Sequence, residues 1–239
     1  MLMKFLTGCL LLSFIGIGFV TAQDLAGAWK WEANGQQASL IFTAKHFVLT
    51  YYDLETKKFE STRGGAYRIA GGQLLLIDEF NTKQPEQVSK EQRNEFSVKG
   101  NKLVVTTGGE KKEWGRVDNG TPGKLSGAWL ITGRMVNGEQ QKITPGARRT
   151  MKILSGTRFQ WIAYNEETKE FFGTGGGTYT TDKGKYTESI EFFSRDASRV
   201  GMQLSFDFAL EDGNWRHKGF SSKGDPIDEV WTRRELLGL

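Results

Sequence analysis

Residues 47–67 read FVLTYYDLETKKFESTRGGAY, and residues 159–179 read FQWIAYNEETKEFFGTGGGTY. Laid over each other without a gap, 112 residues apart, the two stretches agree at 10 of 21 positions. Agreement at that level marks an internal duplication, so the chain builds its fold twice. The match continues more weakly to Glu79-Phe80 against Glu191-Phe192. It also has flanking partners: Leu25–Trp29 (LAGAW) returns as Leu125–Trp129 (LSGAW), and Glu113–Arg116 (EWGR) as Val230–Arg233 (VWTR). Between the copies lies DNGTPG at 118–123, a concentration of turn formers suited to a linker. Asn119-Gly-Thr121 has the form of a glycosylation acceptor and is read here as a turn. The predicted organisation is an export segment over 1–22, one domain over 23–118, a linker over 119–123 and a second domain over 124–239.

Inside each copy the apolar spacing is that of strands. Met202, Leu204, Phe206, Phe208 and Leu210 alternate with Gln203, Ser205, Asp207 and Ala209, a period of two. Runs of this kind predict strands over 127–135, 149–154, 158–164, 170–181, 185–193, 201–210, 214–220 and 227–234. The first copy divides the same way at 27–34, 38–44, 46–53, 59–69, 72–81, 92–99, 102–107 and 111–117. No stretch of comparable length has a helical period. Eight antiparallel strands per copy, joined in sequence order, predict two tandem all-β, up-and-down barrels, with two β-sandwiches as the alternative.

The chain opens MLMKFLTGCLLLSFIGIGFVTAQ. Lys4 precedes a 16-residue apolar run, Phe5–Val20, and Val20-Thr21-Ala22 supplies small residues before Gln23. That is the layout of a cleaved secretory signal peptide, and the run is short for a membrane span of about 20 residues. Leu6–Cys9 resembles an acylation box, yet no hydrophobic segment separates Lys4 from it. The expected location is therefore outside the cytoplasm, periplasmic or extracellular, with no stable membrane span after cleavage. Cys9 is the single cysteine, so cleavage would leave none and disulfides contribute nothing. Removing Lys4 with the leader leaves 31 basic against 28 acidic residues, a net of +3, too near neutral to indicate a nucleic-acid partner.

Gly27-Ala28-Trp29 and Gly127-Ala128-Trp129 match the G-x-W of the first strand of lipocalins and their calycin relatives, and Arg116 and Arg233 match the basic residue those folds lay across it. Each copy resembles the secreted lipocalin-like domains of Gram-negative bacteria, over most of residues 24–235. The threonine-aspartate-tyrosine turn of lipocalins is absent. A guanidinium over an indole face contributes about 0.5–2 kcal/mol and ties first strand to last, which closes an up-and-down barrel. Trp29, Arg116, Trp129 and Arg233 are thus the predicted closure residues.

An eight-stranded barrel can hold one small ligand, so candidate site residues are sought on the inward faces. With the apolar faces turned in, the second copy presents Phe159, Trp161 and Ala163, then Tyr186, Glu188, Ile190 and Phe192, then Met202, Leu204, Phe206 and Phe208, then Trp215 and His217. The resemblance that places Arg233 inside also places Glu229 and Trp231 there. The predicted ligand contacts are Trp161, Glu188, Phe206, Trp215, His217 and Glu229. In the first copy Leu49 stands for Trp161 and Leu76 for Glu188, with Leu103 and Val105 on the seventh strand. The pocket is accordingly expected in the second domain, with the first as scaffold or partner surface. The alternative for the carboxylates is plain pairing, Glu188 and Glu229 with Arg233 or Lys152.

Other chemistry finds little support. GTGGGT at 173–178 resembles a phosphate cradle, but such cradles open a helix, and a strand follows here. The glycines read instead as bends or bulges. The shared Glu-Thr-Lys belongs to a hairpin turn. His46 and His217 occupy non-equivalent positions, and no zinc spacing or G-x-S-x-G exists. A lone His217 is a weak basis for haem. No cofactor or metal is expected. Glu188 and Glu229 could form a facing acid pair as in glycoside hydrolysis. The leading expectation is non-catalytic binding of a small, partly apolar molecule. An envelope structural or adaptor module with a protein partner comes second, and an enzyme acting on a small molecule or glycan third.

Overall fold

The computed structural model describes residues 20–239. It contains two closed, eight-stranded antiparallel barrels in tandem. Residues 1–19, with Cys9 and most of the expected signal peptide, lie outside the described residues. Among the described residues, no helix is long and apolar enough to cross a membrane.

Barrel 1 runs β1 (Gly27–Ala33), β2 (Gln36–Phe42), β3 (His46–Asp53), β4 (Lys58–Ala70), β5 (Gln73–Asn81), β6 (Glu91–Lys99), β7 (Lys102–Thr107) and β8 (Glu110–Asp118). Each strand pairs with the next, and β8 returns to β1 through Trp29↔Arg116 and Lys30↔Gly115. Barrel 2 begins with β9 (Gly127–Val136), which carries a short β10 (Glu139–Lys142) as a hairpin. It continues through β11 (Arg148–Leu154), β12 (Arg158–Asn165), β13 (Phe171–Asp182), β14 (Lys185–Phe193), β15 (Gln203–Glu211), β16 (Asn214–Phe220) and β17 (Pro226–Arg233), which closes on β9. The sixteen predicted strands all form. β10 was not predicted, because EQQK is polar and exposed throughout. Its turn was legible: Asn137-Gly138, with both residues at left-handed φ, is the pairing that a two-residue hairpin needs.

The glycines of the repeated stretch build a bulge. Opposite Gly176-Gly177 of β13, strand β14 inserts one extra residue, Glu191. Opposite Gly64-Gly65 of β4, strand β5 inserts Glu79. A Cβ on Gly177 would lie 2.0 Å from the Ser189 carbonyl oxygen, so the close approach requires glycine. A bulge reverses which face the following residues take. Phe192, predicted inside the barrel, therefore points out of it and packs 4.9 Å from Tyr52, while Phe193 turns in against Trp161 at 5.5 Å.

The two barrels lie side by side, and the residues between them follow the 112-residue offset. Tyr52 of barrel 1 meets Phe192 and donates to Glu191 Oε2 at 2.8 Å; Tyr164 of barrel 2 meets Phe80 at 4.9 Å and donates to Glu79. Phe59 stacks on Phe171, its own copy, at 6.1 Å. Contacts of the form i to j and j to i, with one residue meeting its equivalent, define an approximate two-fold axis. Around it Ala28, Ile41, Val48 and Phe80 form one buried apolar cluster with Leu130, Met151, Ile153 and Ile162. Arg234 holds Glu79 through both oxygens, at 2.8 and 3.0 Å, and Arg149 adds a third contact at 3.2 Å. Burial pushes the Glu79 carboxyl up, but the Arg234 charge and hydrogen bonds prevail and hold it below the usual value.

Candidate functional site

Each barrel is sealed by the predicted residues. The Arg116 guanidinium lies 3.9 Å from the Trp29 ring centre and donates to Ala26 O and Asp24 O; Arg233 lies 4.3 Å from Trp129 and donates to Ser126 O. The indoles in turn donate to Leu25 O and Leu125 O. These groups satisfy strand ends and line neither cavity described below.

Barrel 2 encloses a cavity of about 370 Å³. Five of the six predicted contacts line it: Trp161, Glu188, Phe206, His217 and Glu229. Trp215 is fully buried behind the wall, packed on Tyr186, His217 and Trp231. Alternation placed Trp215 on the inward face, but His217 and Lys152 stand between it and the open space. Phe193, Ile190, Leu204, Ile227 and Trp231 complete the apolar wall, while Arg195, Lys223 and Asp225 add charge to the lining.

The polar floor has two connected pairs. Lys152 Nζ donates to Glu188 Oε1 at 3.0 Å, and Tyr186 OH donates to the same oxygen at 2.9 Å. Among the described residues, no hydrogen bond reaches Glu188 Oε2. The Lys152 ammonium also sits about 5 Å from the faces of Tyr186 and Trp215. Glu229 accepts from His217 Nδ1 at 3.3 Å and from Trp231 Nε1 at 3.1 Å. Burial, reinforced by the Lys152 charge, pushes His217 down, so the ring is neutral at neutral pH. Its proton then lies on Nδ1, facing the carboxylate, and Nε2 is an acceptor with no hydrogen-bond partner among the described residues. Burial raises Glu229, but the hydrogen bonds from His217 and Trp231, with the Lys152 charge, outweigh it and lower the carboxyl below its usual value.

Glu188 thus pairs with Lys152, as the plain-pairing alternative held, and the pair still faces the cavity. Lys152 lines the cavity and was absent from the predicted contacts. Its signal was position: it stands where Leu40 stands in the first copy, directly across β11 and β12 from Trp161. Glu188 and Glu229 each have cationic or N–H donors of their own, and the structure pairs neither with the other.

Barrel 1, expected to be scaffold, also contains a cavity of about 250 Å³, lined by Leu40, Leu49, Leu74, Leu76, Val105 and Trp114 with Arg63 and Lys112. Among the described residues, no group of three histidine, cysteine or carboxylate side chains is arranged to hold a metal ion.

Residues 124–237 match a domain of unknown function, DUF4488. The match spans barrel 2 from just before β9 to the C-terminal turn. No curated protein matches the chain. Among solved structures, the chain is similar to the DNA polymerase III β subunit of Thermotoga maritima at 12% identity, covering 89% of this chain and 77% of that one, with a TM-score of 0.16. It is similar to the DnaN sliding clamp of Pseudomonas aeruginosa bound to griselimycin at 10% identity, with 88% and 77% covered and a TM-score of 0.14. At those TM-scores neither likeness bears on fold or function.

Proposed function

We propose that barrel 2 is a non-catalytic binding site for a small, partly apolar molecule, in a protein that acts outside the cytoplasm. The observation that carries this reading is the 370 Å³ cavity, whose aromatic wall stands over Glu188 Oε2, an acceptor that receives no hydrogen bond among the described residues. The ligand would place a flat apolar portion against Trp161 and Phe193 and a hydroxyl or amine against Glu188. Lys152 and Tyr186 hold that carboxylate in place, so little ordering remains for binding to impose. The lipocalin-like reading is supported by the arginine laid over the first-strand tryptophan in each barrel.

Two features favour binding over an adaptor with packed cores: the open volume, and the retention of a buried ion pair where the other copy has leucines. A buried pair contributes little to stability on its own. The test is native mass spectrometry of the protein purified from its own host, with the affinity of the recovered adduct then measured in Trp161→Ala and Glu188→Gln. The adduct is expected on the wild-type protein, with affinity reduced about tenfold or more in each variant. Unchanged affinity in both would sink the assignment, and a clean apo mass would favour the adaptor.

A further inference from the structure

The 112-residue offset sets Arg63 against Gly175, Leu49 against Trp161 and Asn81 against Phe193. Where barrel 2 lines its cavity with two large aromatic rings, barrel 1 has an arginine, an amide and a smaller aliphatic. On the floor the order is reversed, because Leu40 and Leu76 replace Lys152 and Glu188. Barrel 1 is therefore apolar at depth and cationic towards the outside, the opposite of its partner.

The 250 Å³ cavity of barrel 1 adjoins a wider cleft of about 620 Å³, the two sharing Leu49, Tyr51, Arg63 and Glu110 as lining. Lys83 lines the cleft. Lys112 Nζ sits 4.1 Å from the Trp31 ring centre and 4.8 Å from that of Tyr51, and donates to Tyr51 OH at 3.0 Å. Lys83 Nζ lies 5.7 Å from the Tyr51 ring centre. Neither lysine has a salt bridge among the described residues. Arg63 engages Asp78 and Gln92 through Nε and Nη2, and Nη1 has no hydrogen-bond partner among the described residues. Asp78 balances Arg63, so the lining has two lysines, Lys83 and Lys112, against the one exposed carboxylate of Glu110 and carries net positive charge.

We propose that barrel 1 is a second ligand site, independent of the one in barrel 2, which takes a small amphiphilic anion such as a medium-chain carboxylate. The chain lies against Leu40, Leu74, Leu76 and Val105, and the carboxylate meets Arg63 Nη1, Lys83 and Lys112 at the opening. Lys112 is held over two aromatic rings before any ligand arrives, so its charge is already aimed. At about 30 Å³ per water-sized group, 250 Å³ accommodates a chain of about eight carbons.

Octanoate is the probe, titrated calorimetrically into the full-length protein, into the double variant Lys83→Glu, Lys112→Glu, and into Trp161→Ala. Lys83 is exposed and Lys112 half-buried, and a thermal melt checks that the double variant is folded. One octanoate is expected to bind the wild-type protein. Its affinity falls at least tenfold in the double variant, which gains affinity for octylammonium instead, and is unchanged in Trp161→Ala. Absence of octanoate binding at millimolar concentration, equal affinity in the folded double variant, or loss in Trp161→Ala would each overturn the proposal. Because each barrel is altered separately, failure here leaves the barrel 2 reading standing, and failure there leaves this one.

Discussion

His46 lies in β3, buried where the barrels meet, and its Nδ1 has no hydrogen-bond partner among the described residues. Burial, then the Arg234 charge, lowers its pKa to about 4 from 6.5; Glu79 opposes the shift, and Lys45 and Arg149 add to it. Below pH 6.5 the unfolded chain takes up a proton that the folded chain refuses, so stability falls with pH between 6.5 and 4. At 1.36 kcal/mol per unit the full effect is about 3 kcal/mol. The melting temperature is expected to drop over that window, and a His46→Phe variant to have a flatter profile. His217, lowered for the same reason, contributes with the same sign, so some slope will remain. Equal slopes for both proteins would rule out His46 as a source. At this scale the candidate site was largely legible. Alternation put Trp161, Glu188, Phe206 and His217 inward because a strand's side chains alternate whatever surrounds it. Lys152 escaped because a lysine's own type argues for solvent, and only the ring faces of Tyr186 and Trp215 together with Glu188 make its burial tolerable.

At the scale of elements, the bulge in β14 decides what each later side chain touches. Gly177 faces the Ser189 carbonyl so closely that a methyl group there must displace backbone. Gly177→Ala is expected to lose about 2 kcal/mol or more in chemical denaturation, and to loosen the Trp161–Phe193 contact, read as a change in tryptophan fluorescence. A variant as stable as wild type would show that the bulge does not need glycine. The strands themselves were readable from period two, and the hairpins from Asn34-Gly35, Lys183-Gly184 and Asp212-Gly213, all at left-handed φ. The bulge position was not readable. Glycines announced that a bend was possible in β13, but the extra residue sits in the neighbouring strand, and only pairing assigns it to Glu191 rather than to Ile190 or Phe192.

At the scale of the molecule, the inter-barrel surface joins two barrels into one body. Residues 124–239 expressed alone would expose Leu130, Met151, Ile153 and Ile162 and would separate Arg234 from Glu79. The full chain is expected to unfold in one transition, and the fragment to be less stable or to self-associate through that face, measured by sedimentation. A soluble monomeric fragment as stable as the full chain would contradict this. Removing the carboxylate in the intact protein by Glu79→Ala leaves Arg234 buried without its partner, at a cost of about 3–5 kcal/mol in the denaturant midpoint analysis.

The amino-acid sequence by itself determined the duplication, the strand count, the antiparallel order, the closure by arginine over tryptophan, and the polar character of one barrel interior. The closure is what the resemblance to calycin folds implied; the rest follows from local periodicity and from comparing the chain with itself. Tertiary structure alone decided that the equivalent glutamates Glu79 and Glu191 leave their barrels to meet Tyr164 and Tyr52 across a two-fold axis. It also decided that barrel 1 has a cavity where leucines suggested a filled core. Both depend on how much space remains once sixteen strands have curled, and on which outward faces then touch; neither quantity is carried by any single segment of the chain.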